Sequence, residues 1–165
     1  MKKGNQSAAL NPQTVPARPT GTWRGEIPLE SFYTAGLGGQ IFFRALKERG
    51  ELVGTCCEPC QQVYLPARAF CERCFAELKA EVKVKPEGTV ASFTFAYVDR
   101  DGHPLERPQA LALVQLEGAT TLFLHRLLKV NDPSQVKIGA RVRVVIKPKS
   151  KRTGSILDLE GFELA

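Results

Sequence analysis

The chain has 165 residues, a hydrophobic fraction of 43% and a formal net charge of +6, which suits one domain with its own core and a small appendix. It contains no apolar run of about 18 residues, so we expect no membrane span. Its basic start lacks the apolar stretch of a secretory signal, and we therefore expect a cytoplasmic protein with reduced thiols. The positive charge favours an anionic partner of unspecified kind.

The N-terminal segment is rich in Pro, Gly, Thr, Gln and Asn and has almost no apolar periodicity. We interpret residues 1–27 as a flexible arm. Trp23, the only tryptophan, lies near the end of this arm. It either tucks onto the surface of the domain or anchors the chain in a partner.

Residues 28–50 are predicted to be a helical segment, with the helix itself over 39–49 and Gly50 as its C-cap. So short a helix is marginal alone, so its apolar stripe must pack on its own domain or on another chain. The candidate partner-docking residues on this helix, which join Trp23, are Phe42, Phe43 and Leu46.

All five cysteines lie between residues 56 and 74, within a segment that we assign to a zinc ribbon over residues 51–82. Two Cys-x-x-Cys pairs stand ten residues apart, and two such knuckles complete a tetrahedral sulfur site. Zinc is favoured over iron because it suits thiolate tetrahedra without redox chemistry, with rubredoxin-type iron as the alternative. The predicted ligands are Cys57, Cys60, Cys71 and Cys74.

Other roles for these cysteines fit the pattern less well. A thioredoxin-type motif needs a strand before it and a helix opening at the first cysteine, whereas here Pro66 and β-type residues follow. Four sulfur ligands leave no open position for a catalytic water. A ribbon of about 25 residues buries too little apolar surface to fold alone, so the ion supplies folding energy. Cys56 is predicted to be a free thiol.

Residues 83–165 read as five short strands separated by turn signals. The clearest alternation puts Val142, Val144 and Ile146 on one face of a strand. Five strands in about 80 residues predict a small closed barrel, most simply an OB-fold. The expected fold is therefore mainly β, with an N-terminal helix, a rubredoxin-like zinc ribbon and a C-terminal five-stranded OB-fold barrel.

The order of these pieces resembles a known family. The helix, then "GTCCEPCQQVYLPARAFCERCF", then "GTVASFT" and "VKIGARV", are similar to the zinc-ribbon/OB-fold proteins found beside thiolases and thiolase-like synthases. The resemblance covers roughly residues 32–165. The family usually has Gly after the second cysteine, where the knuckle wants a positive φ, and Gln61 stands there in this chain.

The resemblance implies a non-catalytic accessory subunit of a thiolase-type acyl-CoA acyltransferase complex, which docks on the enzyme and supports binding of CoA thioesters. Its partners would be a thiolase or thiolase-like subunit and an acyl-CoA at a shared site. The arrangement and length are also similar to those of small subunits of thiolases that end anaerobic toluene breakdown through benzylsuccinyl-CoA, a degradation of aromatic compounds.

The residues themselves offer little for independent catalysis. His103 lies in a predicted turn, and His125 lies in a strand where a packing role is expected. With four cysteines assigned to metal, no nucleophile with a neighbouring base can be identified from the sequence. We predict no catalytic residues.

The positive charge is concentrated near the C-terminus. Residues 129–152 contain eight lysines and arginines and one aspartate, so the rest of the chain is close to neutral. The stretch is either a solvated strand face or an anion site, and CoA phosphates suit Lys and Arg on a loop. The candidate CoA-binding residues are Lys147, Lys149, Lys151 and Arg152.

The alternative function is that of a single-stranded nucleic-acid-binding OB-fold protein with a zinc ribbon. OB-folds hold single strands with a basic groove and stacking aromatic rings. Phe93, Phe95 and Tyr97 alternate along one strand and would make such a platform, but the same spacing fits a row facing the core. We favour the core, and nucleic acid is the less favoured partner.

Overall fold

The computed structural model of the protein describes residues 30–165, so the predicted arm and Trp23 lie outside the described residues. Within this range the chain forms one α-helix, eight β-strands and three short 3-10 helices. The strands make two antiparallel sheets, so the expectation of a mainly β fold with one N-terminal helix is confirmed. No helix between residues 30 and 165 has the length and apolarity to cross a bilayer.

The elements follow one another in the order helix, ribbon and barrel. Their bounds are α1 Gly36–Arg49, β1 Leu52–Cys57, β2 Gln62–Tyr64, β3 Ala80–Val84, β4 Glu87–Val98, β5 Pro104–Leu116, β6 Leu122–Arg126, β7 Arg141–Ile146 and β8 Leu159–Leu164.

Helix α1 begins three residues before the predicted start and ends where expected. Gly50 adopts the left-handed conformation, with φ 68°, and its amide donates to the carbonyl oxygens of Ala45 and Leu46. The early start contains Gly38, where a Cβ would collide with the carbonyl oxygen of Ala67. Because glycine has a low helix propensity, the sequence predicts this first turn only weakly. The missing Cβ of Gly38 nevertheless lets the helix approach the ribbon closely.

The ribbon sheet has the strand order β2-β1-β3. Thr55 of β1 pairs with Tyr64 of β2, and Leu52 pairs with Val84 of β3. The side chain of Thr55 is fully buried, and its hydroxyl both donates to the carbonyl of Arg68 and accepts from the amide of Arg68, each at 2.9 Å. These two hydrogen bonds fix the segment between the cysteine pairs against β1.

The second sheet is the predicted five-stranded barrel, with the strand order β6-β5-β4-β7-β8. A parallel bridge between Leu127 and Phe162 joins its two ends, and the amide of Leu128 donates to the carbonyl of Phe162 at 2.7 Å. Closure of five antiparallel strands by one parallel contact is the OB-fold arrangement.

The ribbon, α1 and the barrel share one hydrophobic core. Phe42 of α1 contacts Phe123 of the barrel, with ring centroids 6.2 Å apart. The backbone of Val63 and Leu65 in the ribbon exchanges hydrogen bonds of 2.9 Å with Thr120 and Thr121, which immediately precede β6. The metal-binding segment is therefore held rigidly on the barrel.

Candidate metal centre and the neighbouring groove

The two cysteine pairs converge on one point. The sulfurs of Cys57, Cys60, Cys71 and Cys74 all lie within 4.8 Å of one another. Four sulfurs bound to one zinc ion at about 2.3 Å would lie somewhat under 4 Å apart, so this cluster fits a tetrahedral zinc site after a small contraction. The four predicted ligands are brought together, and they form the metal-binding site of a zinc ribbon.

Each knuckle turns through a residue with positive φ. Gln61 has φ 52° and Phe75 has φ 60°, and each directly follows the second cysteine of its pair. The left-handed region costs about 1–2 kcal/mol for a residue with a Cβ. Local hydrogen bonds offset this strain: the side-chain amide of Gln61 donates to the carbonyl of Glu58 at 2.7 Å, and the amide of Phe75 donates to the carbonyl of Cys71 at 2.9 Å. The positive φ expected at Gln61 is confirmed.

Two groups lie within hydrogen-bond distance of the Cys71 sulfur. The hydroxyl of Tyr64 lies 3.2 Å from its sulfur and the amide of Arg73 lies 3.4 Å from it. The contact with Tyr64 is the main cause that lowers the pKa of Cys71 to about 6, and the same contact raises the pKa of Tyr64 to about 12. This role of Tyr64 was not predicted from the sequence.

Cys57 and Cys60 need a cation nearby to ionise together with Cys71. Burial raises the pKa of Cys57, and hydrogen bonding with Cys74 raises the pKa of Cys60 to about 12. Crowded thiolates repel one another unless a positive charge lies between them. Binding of the ion therefore displaces protons from the site.

Cys56 lies outside the cluster, as predicted. It is half-buried on β1, directly before Cys57, and successive side chains of a strand point to opposite faces of the sheet. The four-sulfur set contains Cys57 and not Cys56.

A groove with a volume of about 770 Å³ runs between α1 and the loop that follows β7. Its apolar lining includes Leu37, which is exposed, and Phe43, which is half-buried. Arg44 and Lys47 of α1 contribute positive charge to the same groove. The full set of lining residues is Thr34, Ala35, Gly36, Leu37, Gln40, Phe43, Arg44, Lys47, Thr153 and Gly154.

The loop beside this groove is organised by one buried acid, Asp158. Its carboxylate accepts hydrogen bonds from the backbone amides of Thr153 at 2.9 Å, Gly154 at 2.7 Å and Ser155 at 3.4 Å. Burial raises the pKa of Asp158, but these amides outweigh that effect and hold the pKa below its ordinary value. Asp158 was not predicted from the sequence, in which only its position within "SILDLE" suggests a capping residue.

The four predicted CoA-binding residues lie on this loop but differ in exposure. Lys149 and Lys151 are exposed and form one turn of 3-10 helix, and Lys147 is half-buried. Arg152 is also half-buried. Its Nε donates to the carbonyl of Lys147 at 2.7 Å, and its guanidinium lies 2.6 Å from where a Cβ on Gly50 would stand. Arg152 therefore joins the loop to the C-terminus of α1, where a cation is favoured.

The basic stretch divides into a neutralised part and an unpaired part. Lys129 pairs with Glu163 at 2.8 Å, and Arg141 pairs with Glu117. Among the ion pairs formed by residues 30–165, none involves the loop residues or the two cations of α1 in the groove. These unpaired cations are Arg44, Lys47, Lys147, Lys149, Lys151 and Arg152.

The burial of two predicted docking residues corrects their assignment. Phe42 and Leu46 have no exposed surface and belong to the core shared with the barrel. Their side chains cannot reach a partner without unfolding of α1, so their assignment as docking residues is wrong. The helix stripe packs on the chain's own domain, which is one of the two options that the sequence left open.

The structure also locates the aromatic residues considered for base stacking and the two histidines considered for catalysis. Phe93 and Phe95 are half-buried and pack against the core, as favoured, whereas Tyr97 is exposed. His103 is exposed. His125 packs edge-on against Phe162, with centroids 6.3 Å apart, and burial lowers its pKa. The packing role expected for His125 is therefore confirmed.

The fold and the four-cysteine site define a zinc-ribbon protein with an OB-fold barrel. Residues 44–79 match the family model for the rubredoxin-like zinc ribbon domain of ChsH2, and residues 81–147 match the model for the C-terminal OB-fold domain of ChsH2. Together the two matches span more than half of the chain. The chain belongs to the ChsH2 family of zinc-ribbon and OB-fold proteins.

Curated relatives carry one common name. A DUF35 domain-containing scaffold protein of Methanocaldococcus jannaschii is 27% identical over 64% of this chain and 74% of its own length. Proteins of the same name from Methanothermobacter thermautotrophicus and Pyrococcus furiosus are 26% and 29% identical over 64% of this chain, and over 78% and 76% of their own lengths.

Solved structures share the fold. A DUF35-family protein of unknown function from Sulfolobus solfataricus is similar with a TM-score of 0.60 and 27% identity, over 79% of this chain and 87% of its own. A chain described as Ltp2-ChsH2(DUF35) aldolase is similar with a TM-score of 0.55 and 24% identity, over 76% of this chain and 93% of its own.

Proposed function

We propose that this chain is a non-catalytic accessory subunit of a thiolase-type acyl-CoA acyltransferase complex. It docks on the enzyme and supports binding of the CoA thioester. The observation that carries the proposal is the groove between α1 and the loop after β7, because an apolar lining and a group of unpaired cations adjoin there.

The groove suits the two chemical halves of CoA. The pantetheine arm is an extended chain that Leu37 and Phe43 could cover. The 3′-phosphate and pyrophosphate are anions that Lys and Arg bind by charge-assisted hydrogen bonds. Lys149 and Lys151 are exposed and lie shortly before Thr153, which lines the groove, in the loop that Asp158 fixes.

The metal site supports this function by keeping the ribbon rigid. Zinc bound by the four cysteines holds the ribbon in shape, and the hydrogen bonds of Val63 and Leu65 join the ribbon to the barrel. A rigid frame loses little conformational entropy when it binds a partner. Of the four predicted docking residues, Phe43 is exposed enough to contact the partner, and Trp23 remains a candidate for the same role.

The names of similar proteins support an accessory role. Three archaeal relatives are called scaffold proteins. The solved chain named Ltp2-ChsH2(DUF35) aldolase joins a DUF35 protein and an aldolase in one description. For this chain we propose a thiolase as the partner, and we propose further that it serves the degradation of aromatic compounds through benzylsuccinyl-CoA.

The CoA part of the proposal is tested by charge reversal on the purified complex with its partner. Titration calorimetry should find CoA bound at least about tenfold more weakly by the Lys149→Glu/Lys151→Glu variant, because two charge-assisted contacts become repulsive. Lys137→Glu/Arg107→Glu is the matched control, since both residues are exposed, lie away from the groove and make the same change in net charge. Equal CoA affinity in the two double variants would remove the CoA role.

The partner is tested by gentle affinity purification of the full chain from its host, with mass spectrometry of bound proteins and metal analysis of the same sample. A stoichiometric thiolase subunit, with activity on aryl-substituted acyl-CoA substrates, is the expected result. Thioester turnover by the purified chain alone would contradict the accessory role. Oligonucleotide binding with a steep salt dependence would favour the nucleic-acid alternative.

A further inference from the structure

The metal centre has a hydrogen-bond donor that does not belong to the ribbon's cysteine pairs. The hydroxyl oxygen of Tyr64 lies 3.2 Å from the sulfur of Cys71, and both side chains have no exposed surface. A metal-bound cysteine is a thiolate and has no proton to give. The O–H of Tyr64 must therefore be the donor and Cys71 the acceptor in the metal-bound protein.

The hydroxyl is held in position from three sides. Tyr64 pairs with Thr55 across β1 and β2. The guanidinium carbon of Arg68 lies 5.0 Å from the centre of the tyrosine ring, which is a cation–π contact. The residues on either side of Tyr64, Val63 and Leu65, are hydrogen-bonded to the barrel. The donor is thus fixed relative to the barrel as well as to the ribbon.

The cysteine cluster is asymmetric around this contact. Cys71 is buried and accepts from both Tyr64 and the amide of Arg73, whereas Cys74, in the same pair, is exposed. A thiolate that accepts hydrogen bonds carries less free charge on sulfur and keeps a fixed orientation. The Cys71 thiolate would therefore be held in a fixed orientation at the side of the site that faces the protein interior.

We propose that Tyr64 is a positioning residue for the bound metal ion: its hydroxyl orients the Cys71 thiolate, draws charge from the sulfur, and connects the metal centre to the strand that is bonded to the barrel. The proposal rests on the metal site and is independent of the proposed accessory function. Tyr64 touches the ligand and not the ion.

The test replaces zinc by cobalt in the full-length chain and compares Tyr64→Phe with Tyr97→Phe. Tyr97→Phe is the matched control because it removes the same hydroxyl from an exposed tyrosine. In Tyr64→Phe, loss of the hydrogen bond raises the energy of the sulfur lone pairs. The thiolate-to-cobalt charge-transfer band should therefore move to longer wavelength, and zinc affinity in chelator competition should fall about 10- to 100-fold. Tyr97→Phe should change neither.

A band that stays at the wild-type wavelength in Tyr64→Phe overturns the proposal whatever happens to zinc affinity, because a loss of packing alone lowers affinity without altering the sulfur. A second experiment keeps a tyrosine side chain at position 64, so no cavity is created beside Cys71. A Tyr33→Phe/Tyr97→Phe chain, in which Tyr64 is the remaining one of the three tyrosines, is produced with 3-fluorotyrosine. The fluorinated hydroxyl is a stronger donor, so the band should move to shorter wavelength, and an unshifted band contradicts the proposal.

Discussion

The buried carboxylate of Asp158 accepts a hydrogen bond from the backbone amide of Gly154 at 2.7 Å. Gly154 has φ 87°, and a Cβ there would stand 3.3 Å from the side chain of Lys47. One acid thus fixes a loop whose glycine packs against α1, and it does so for the loop that carries Lys149 and Lys151. The position of Lys149 and Lys151 relative to the groove therefore depends on Asp158, which is itself an acid.

Replacement of Asp158 by Asn should therefore destabilise the protein and loosen the loop. An amide nitrogen would face the backbone donors of Thr153 and Gly154, and a buried donor without an acceptor costs about 1–3 kcal/mol. Urea unfolding at neutral pH measures the loss. Asp101→Asn is the control, because Asp101 is exposed and pairs only loosely with Arg100, at 3.6 Å.

The stability difference between the wild type and Asp158→Asn should depend on pH. The pKa of Asp158 is held below its ordinary value in the folded state, so the stabilisation is fully present above the unfolded pKa of about 4 and is lost as pH falls through the lower folded pKa. The two unfolding curves should converge as the pH falls through this lowered pKa. A difference that is unchanged at low pH would contradict this assignment of the carboxylate.

The sequence predicted those features that local signals encode. The Cys-x-x-Cys spacing identified all four ligands, Gly50 identified the helix end, and alternation identified the barrel strands. Each of these signals lies within a few residues of the feature that it specifies, so no knowledge of the tertiary fold was needed.

The features that the sequence did not predict depend on contacts between distant segments. Tyr64 looked like an ordinary strand residue until the fold brought its hydroxyl to Cys71. The groove exists because α1 and the loop after β7 lie side by side, about a hundred residues apart in the chain. The burial of Phe42 and Leu46 was equally invisible, because an apolar helix stripe looks the same whether it faces its own barrel or a partner.

Removal of the metal should unfold the ribbon. Its separate buried cluster consists of only four residues, two of which are metal ligands: Cys57, Tyr64, Cys71 and Leu78. So small a cluster cannot hold the two knuckles in shape without the ion, although Leu52 and Val84 of the ribbon pack in the core shared with the barrel. Hydrogen exchange with mass spectrometry on chelated, reduced protein should find lost protection in the cysteine segment, residues 56–78, with strands β4 and β5 still protected. Full protection of the ribbon in metal-free protein would contradict a structural role for the ion.

Substitution of the adjacent residues Cys56 and Cys57 should have opposite outcomes for the metal content of the protein. Cys57→Ala removes a ligand and should abolish stoichiometric zinc, because three sulfurs hold the ion far less tightly than four. Cys56→Ala is the matched control and should retain one zinc per chain, since Cys56 lies outside the sulfur cluster. Elemental analysis of the two purified variants measures this difference. Equal zinc loss in both would mean that the two residues exchange as ligands.

Alanine substitutions of the neighbouring residues Phe42 and Phe43 should have different effects, the first on stability and the second on partner binding. Phe42 is fully buried against Phe123, so Phe42→Ala should lower the free energy of unfolding by about 3–5 kcal/mol. Phe43 is half-buried and lines the groove, so Phe43→Ala should cost about 1 kcal/mol or less and act mainly on affinity for the partner enzyme. Urea unfolding and calorimetry with the purified partner give the two numbers. A Phe43→Ala protein that binds its partner as tightly as the wild type would exclude α1 from the docking surface at this position.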